Sequence, residues 1–259
     1  MSKPGARIKA KGDDAPRPVA LVTGAARRVG RAIVLELARV GFDVVVHWRS
    51  SKAEAAATAA EIERGGARAW LVRADLLKVS EIEGLFGTVG ELCGRLDLLV
   101  NSASSFFATP FGATREPQFD ELVGSNLKAP FFCSQLAAPL LMESRADGGG
   151  QIVNVLDAAA LRPFPAFLPY SAAKAGLLAL TVGLARALAP KVRVNGVAPG
   201  PVAMPDDFTP EARRRAVDAT LLKREGRPED VARTVAFLAT GPDFITGAVI
   251  PVDGGRSIA

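Results

Sequence analysis

From Val19 onward, short runs of β-branched and other apolar residues alternate with longer stretches in which apolar positions recur every three or four residues. The short runs predict strands at Val19–Thr23, Asp43–His47, Ala69–Ala74, Leu96–Asn101, Gln151–Leu156, Val192–Val197 and Ala248–Val252. Most are apolar almost throughout, the pattern of parallel strands covered on both faces. Between the first two, Ile33, Leu37 and Val40 fall on one face of a helix over Arg31–Val40. Further helices are predicted near Lys52–Arg64, Ser80–Cys93, Phe119–Glu143, Ser171–Leu188, Pro210–Lys223 and Pro228–Ala239. Alternation sustained over the whole chain implies an α/β protein with a doubly wound parallel sheet of about seven strands and helices on both faces. No Pro/Gly/Ser linker or internal repeat divides residues 19–259, so one domain is expected there.

Composition narrows the class. Of 259 residues, 49% are apolar, enough for a substantial core, and 23% are charged. Residues 1–18 hold five basic residues (Lys3, Arg7, Lys9, Lys11, Arg17) against Asp13 and Asp14, so +3 of the net +5 belongs to this arm. The rest carries too little positive charge for a nucleic-acid surface, and the proline-containing arm is expected to be disordered. No apolar stretch marks a membrane span or a signal peptide, which makes a cytoplasmic location the expectation. Cys93 and Cys133 form no CxxC pair, and His47 is the only histidine, so neither a metal site nor a His-based triad is expected.

The first strand runs into Thr23-Gly24-Ala25-Ala26-Arg27-Arg28-Val29-Gly30, directly before a helix. Small residues there let backbone approach a pyrophosphate resting on the helix N-terminus. Arg28 replaces the middle glycine of the usual fingerprint and could reach a phosphate or a substrate edge. Strand two ends in His47-Trp48-Arg49-Ser50, without the acid that holds a ribose 2′-hydroxyl. A guanidinium and a hydroxyl suit a 2′-phosphate, so NADP(H) is favoured over NAD, with Arg27 and Lys52 assisting. Asp75, followed by Leu76, is a candidate partner for the adenine amino group or, alternatively, a turn acid.

Tyr170 and Lys174 lie four apart, on one face of a helix. An ammonium beside a phenol favours the phenolate, which predicts a lowered tyrosine pKa and a proton donor for hydride chemistry. Asn101-Ser102-Ala103-Ser104 closes strand four, Asn126 lies on the long central helix, and Asn195–Gly200 follows strand six. With these motifs in order, the sequence from Val19 to the C-terminus resembles the short-chain dehydrogenase/reductase family. The resemblance implies a Rossmann fold, nicotinamide hydride transfer and a homotetramer. It also implies that Tyr170 donates the proton, Lys174 tunes it and binds ribose, and Asn126 holds a relay water. Pro199, Gly200 and Val202 would line the nicotinamide.

Thirteen residues before the tyrosine, where that family carries a serine, stands Asp157. An ionised carboxylate repels a ketone oxygen but suits a nitrogen heterocycle that is hydrogen-bonded or protonated. Asp157, Arg28, the HWRS segment and Asn101–Phe106 together resemble pteridine reductases. By that resemblance Phe106 stacks a pterin against the nicotinamide, while Ser104 and Arg28 touch pterin or cofactor phosphates. Phe106 reads equally as an ordinary core aromatic. Phe164 and Phe167 are candidates for the far wall of a flat pocket, and Pro201–Pro210 for a covering loop. The expected substrate is a small, flat, pteridine-like molecule. The competing functions are reduction of a carbonyl such as a 3-oxoacyl thioester, and a non-catalytic NADP-sensing module.

Overall fold

The computed structural model describes residues 16–205 and 207–259. Seven parallel strands form one sheet: β1 (Val19–Val22), β2 (Asp43–Trp48), β3 (Ala69–Arg73), β4 (Leu98–Asn101), β5 (Gly150–Val155), β6 (Val192–Pro199) and β7 (Val249–Val252). Their spatial order is β3-β2-β1-β4-β5-β6-β7. The direction of winding reverses at β1, which pairs with both β2 and β4. The crevice at such a switch point, beyond the carboxyl ends of the strands, is where doubly wound sheets bind ligands.

Among the described residues there are eight α-helices, α1 (Arg28–Arg39), α2 (Lys52–Arg64), α3 (Val79–Cys93), α4 (Glu116–Val123), α5 (Ala129–Met142), α6 (Leu168–Leu188), α7 (Pro210–Asp218) and α8 (Pro228–Thr240), of which α1, α2, α3, α5, α6 and α8 pack on the sheet. Two hydrophobic layers result, and the strand period sorts residues between them. Ala20, Val22, Val44 and Val46 face one layer, packing with Ile33, Val34 and Leu37 of α1 and Val231 and Val235 of α8. Leu21 and Val45 face the other, with Ile82, Leu85 and Phe86 of α3 and Ala137 and Leu141 of α5. Two-sided burial explains why the strands are apolar throughout. Cys133 and the half-buried Cys93 have thiol pKa values pushed up by burial to about 12 and about 11, which suits packing rather than reactivity.

Three expected elements come out differently. The predicted central helix over Phe119–Glu143 is α4 and α5 joined by a π-turn at Gly124–Lys128, and Asn126 sits in that turn. π-turns inside helices recur at functional sites. The predicted helix over Pro210–Lys223 ends at Asp218, because the N–H groups of Leu221 and Leu222 donate instead to the Gly254 carbonyl. Helix α1 begins at Arg28 rather than Arg31. Pro16–Pro18, expected in the arm, is tied to the body: Arg95 donates to the carbonyl of Arg17 at 3.1 Å, and Arg17 to that of Gly66 at 2.9 Å. The rest of the arm, residues 1–15, lies outside the described residues. Helix α6 has the length and hydropathy of a membrane span, but it packs on β6 and buries Tyr170, Lys174 and Thr181.

Candidate active site

A cleft of about 770 Å³ opens along the carboxyl ends of β1 to β6. At its floor the Gly24–Gly30 turn is shaped by two close approaches. Gly24 has φ +66°, and a Cβ on it would lie 2.9 Å from Ala103 Cα; a Cβ on Gly30 would meet the Gly24 carbonyl oxygen at 2.2 Å. Arg28 occupies the same left-handed region at φ +54°, which explains why glycine is usual at this post. An arginine there carries roughly 1–2 kcal/mol of local strain. Its guanidinium reaches over the cleft to the Ala203 carbonyl. The first turn of α1 has neither a side-chain cap nor an acidic residue. Its unpaired N–H groups and dipole end thus face the cleft, a cradle that fits a pyrophosphate.

His47 is placed differently from expectation. It is 2% exposed; its Nδ1 accepts the Gly24 N–H at 3.0 Å, and its Nε2 lies 3.1 Å from the Ala74 carbonyl oxygen. Accepting at Nδ1 makes Nε2 the protonated nitrogen, so the ring is neutral and both nitrogens are used. Burial lowers its pKa to about 4. With its own carbonyl accepting from Ala25 at 2.9 Å, His47 braces the glycine turn and has no ring nitrogen left for a 2′-phosphate. Trp48, Arg49 and Ser50 do line the cleft, as do Arg27, Val29 and Leu76, whereas Lys52 does not. Asp75 accepts from Leu77 N at 3.3 Å and faces Arg49 at 3.8 Å, the geometry of a turn acid.

At the other end, β5 delivers Asp157 and the first turn of α6 delivers Tyr170. The Tyr170 hydroxyl donates to Asp157 Oδ2 at 2.8 Å, while Oδ1 accepts from Ala159 N at 2.7 Å. Lys174 Nζ donates to the Val155 carbonyl at 2.8 Å and sits 5.7 Å above the Tyr170 ring. Burial and the neighbouring carboxylate hold the Tyr170 pKa well above its ordinary value, correcting the expected lowering by Lys174. Burial also raises the Asp157 pKa and lowers that of Lys174 to about 8. Desolvation dominates all three, because each group loses water and gains few charged partners.

Two asparagines lie outside the cleft. Asn101 donates to Asn154 Oδ1 at 2.9 Å and to Ser134 Oγ at 3.2 Å, a buried network beneath the site rather than a cofactor contact. Asn126 is fully buried, and its side chain bonds the Ser105 carbonyl, the Leu122 carbonyl and the hydroxyls of Ser125 and Ser104. It anchors the Ser104–Ser105 segment, with its amide nitrogen engaged by three acceptors and its oxygen accepting from Ser104. Ala103, Ser104, Pro199, Gly200 and Val202 line the cleft as expected.

Phe106 stacks on Phe167 at 4.6 Å with 3° between planes and meets Tyr170 edge-on at 4.8 Å. Phe208 of the Pro201–Pro210 segment approaches Phe106 at 6.1 Å. Phe164 completes this aromatic wall. Arg215 and Arg256 also line the cleft, and nothing in the sequence marked them. Phe208 and Met204 were signalled only by the proline-rich segment that holds them.

Residues 24–257 match the family model described as Enoyl-(Acyl carrier protein) reductase. The chain is 36% identical over 240 residues to the 3-oxoacyl-[acyl-carrier-protein] reductase FabG of Staphylococcus aureus, covering 91% of this chain and 96% of that one. Among solved structures it is similar to FolM Alternative dihydrofolate reductase 1 from Brucella canis complexed with NADP (TM-score 0.83, 36% identity, 93% of this chain and 95% of that one). It is also similar to the angucycline C-6 ketoreductase LanV with bound NADP (TM-score 0.87, 32% identity, 93% and 96%). The chain belongs to the short-chain dehydrogenase/reductase family of oxidoreductases.

Proposed function

We propose that this protein is an NADPH-dependent reductase of a pteridine ring, a dihydropterin or a dihydrofolate. The 2.8 Å hydrogen bond from Tyr170 to Asp157 carries the proposal. Reducing a ring C=N bond adds hydride to carbon and a proton to nitrogen, and bound NADPH supplies the hydride. Tyr170 holds the proton as a neutral phenol, and Asp157, its pKa raised by burial, keeps or returns a proton more readily than an exposed aspartate. Lys174 holds the ribose, with its ammonium over the face of the Tyr170 ring.

The glycine turn braced by His47 receives the pyrophosphate, and Arg27, Arg49 and Ser50 receive the 2′-phosphate. Pro199, Gly200 and Val202 line the nicotinamide. Phe106, Phe164 and Phe167 offer flat apolar surface to the ring, with offset stacking worth about 0.5–1.5 kcal/mol beyond area burial. Ser104 and Arg28 meet its polar edge, and Asn126 positions Ser104. The similarity to FolM Alternative dihydrofolate reductase 1 supports the same substrate class. We further propose a homotetramer in the cytoplasm; Phe131 on α5 and Leu168 and Val182 on α6 expose apolar surface that contacts between copies would cover.

The similarity to FabG favours a second reaction, reduction of a 3-oxoacyl thioester. Asp157 weighs against it, since it stands at the post where that family carries a serine and its carboxyl takes the Tyr170 hydroxyl that a carbonyl oxygen would need. NADPH oxidation with dihydrobiopterin, dihydrofolate and an acetoacetyl thioester, offered to wild type and Asp157→Ser, separates the two. Pteridine turnover that collapses in the variant supports the proposal. Thioester turnover alone, kept or improved by serine, refutes it.

A further inference from the structure

The wall of the cleft carries more cations than a dinucleotide uses. Arg27 and Arg49 stand at the β2 end with the carboxylates of Glu54 and Asp75 at 3.9 and 3.8 Å, where the 2′-phosphate is placed. Lys174, which donates to the Val155 carbonyl, is assigned to the ribose, and Arg28, which donates to that of Ala203, to the polar edge of the ring. Two cations remain, Arg215 and Arg256. Among the described residues neither has an acidic partner within ion-pair distance.

Both lie at the substrate end. The Arg256 guanidinium sits 4.7 Å over the Phe164 ring, and its Nη1 donates to the Ala216 carbonyl at 2.7 Å. It is close enough to Asp157 for its charge to act on that carboxyl. Arg215, the residue before Ala216 on α7, lines the same wall and is exposed. Competing groups nearby are occupied: the Asp253 carboxylate accepts from Gly255 N at 2.9 Å and Ser257 N at 2.8 Å, and Arg162 reaches the Ala259 carbonyl oxygen. Stacking and one hydrogen bond fix the Arg256 fork while leaving most of its five N–H donors available, a geometry that matches a carboxylate.

We propose that Arg215 and Arg256 form an anion subsite at the outer end of the cleft, which takes the carboxylates of a substrate tail. This subsite rests on the pteridine assignment above and narrows it: the preferred substrate is a dihydropteridine carrying a carboxylate-bearing tail rather than the ring alone. The aromatic wall holds the ring by Asp157 and Tyr170, and the tail runs out past Phe164 to the two guanidiniums.

The test is steady-state kinetics of the full-length protein with NADPH, comparing dihydrofolate, which has a glutamate tail, with dihydrobiopterin, which has no carboxylate. Wild type is expected to favour dihydrofolate in kcat/KM, with an advantage that shrinks as NaCl is raised. Arg215→Gln should lower the dihydrofolate-to-dihydrobiopterin ratio roughly tenfold, through the KM for dihydrofolate. Helix α7 buries no residue, so this variant keeps the fold; Arg256→Gln, checked by thermal melting, should act in the same direction. Turnover of both substrates with a ratio near one, or a ratio unmoved by Arg215→Gln and by salt, overturns the subsite alone. Turnover of neither pteridine overturns the assignment of the reaction and the subsite with it.

Discussion

The Tyr170 hydroxyl donates a hydrogen bond to a carboxyl oxygen of Asp157, 2.8 Å away, with Tyr170 buried and Asp157 partly buried. In this pair the acid with the lower pKa is the carboxyl, and burial raises that pKa above the usual carboxylate range. The protonated form of Asp157 therefore persists to higher pH than for an exposed aspartate, and is lost as pH rises through the raised value. Pteridine turnover should fall on the alkaline side of that value. Asp157→Asn, which cannot exchange a proton, should lose roughly 10²–10⁴ in kcat and also lose that limb of the pH profile. A variant that keeps the wild-type limb assigns it elsewhere.

Lys174 supplies a second limb, coupled to the first through the charge of Asp157. Its ammonium is buried and its pKa lowered to about 8, so its charge is present below that pH and disappears above it. The KM for NADPH should rise as pH passes about 8. Lys174→Met should raise it at every pH and abolish the dependence, as a fluorescence titration with NADPH would show.

His47 links stability to pH. Its pKa is about 4 in the folded chain against 6.5 for a free imidazole, so the unfolded chain binds the extra proton between those values. The stabilisation is fully present above pH 6.5 and is lost as pH falls toward 4, by up to about 3 kcal/mol. Thermal melts across that range should show the drop, and His47→Asn should flatten it. The same variant frees the glycine turn and should raise the KM for NADPH more than it lowers kcat.

Arg49 sets cofactor choice under the proposed function. Arg49→Asp places a carboxylate where the 2′-phosphate would bind, and should weaken NADPH by roughly 10- to 100-fold while improving use of NADH. An unchanged NADPH/NADH preference would move the phosphate site to Arg27.

Gly30→Ala is expected to disable cofactor binding without changing any charge. Its methyl would meet the Gly24 carbonyl at 2.2 Å, so α1 must move away from the turn that presents its N–H groups. NADPH binding should fall below detection by isothermal calorimetry, with a melting temperature a few degrees lower.

What the sequence determined by itself is whatever depends on local period and spacing. Two-sided burial leaves a continuous apolar run, so the seven strands were legible, as were the helices whose apolar face meets the sheet. The Gly24–Gly30 turn is one segment, and Tyr170 and Lys174 are one helical turn apart, so both could be read directly. Tertiary structure alone decided which partner each polar group finds. The spacing of Tyr170 and Lys174 suggested a lowered tyrosine pKa; the fold set Asp157 on the phenol and Lys174 on a carbonyl, and desolvation reversed the sign. His47 and Asn101 lie in segments that read as cofactor-binding, yet the sheet turns both side chains inward to hydrogen-bond partners from other elements. Asn126 likewise became an anchor when the π-turn carried it beneath Ser104. Arg215 and Arg256, 41 positions apart and without a shared motif, meet at one wall only because the chain after Asp218 folds back onto Gly254. Local sequence encodes which face is buried, but a buried polar group's partner, and hence its charge, is set by the distant segments that displace its water.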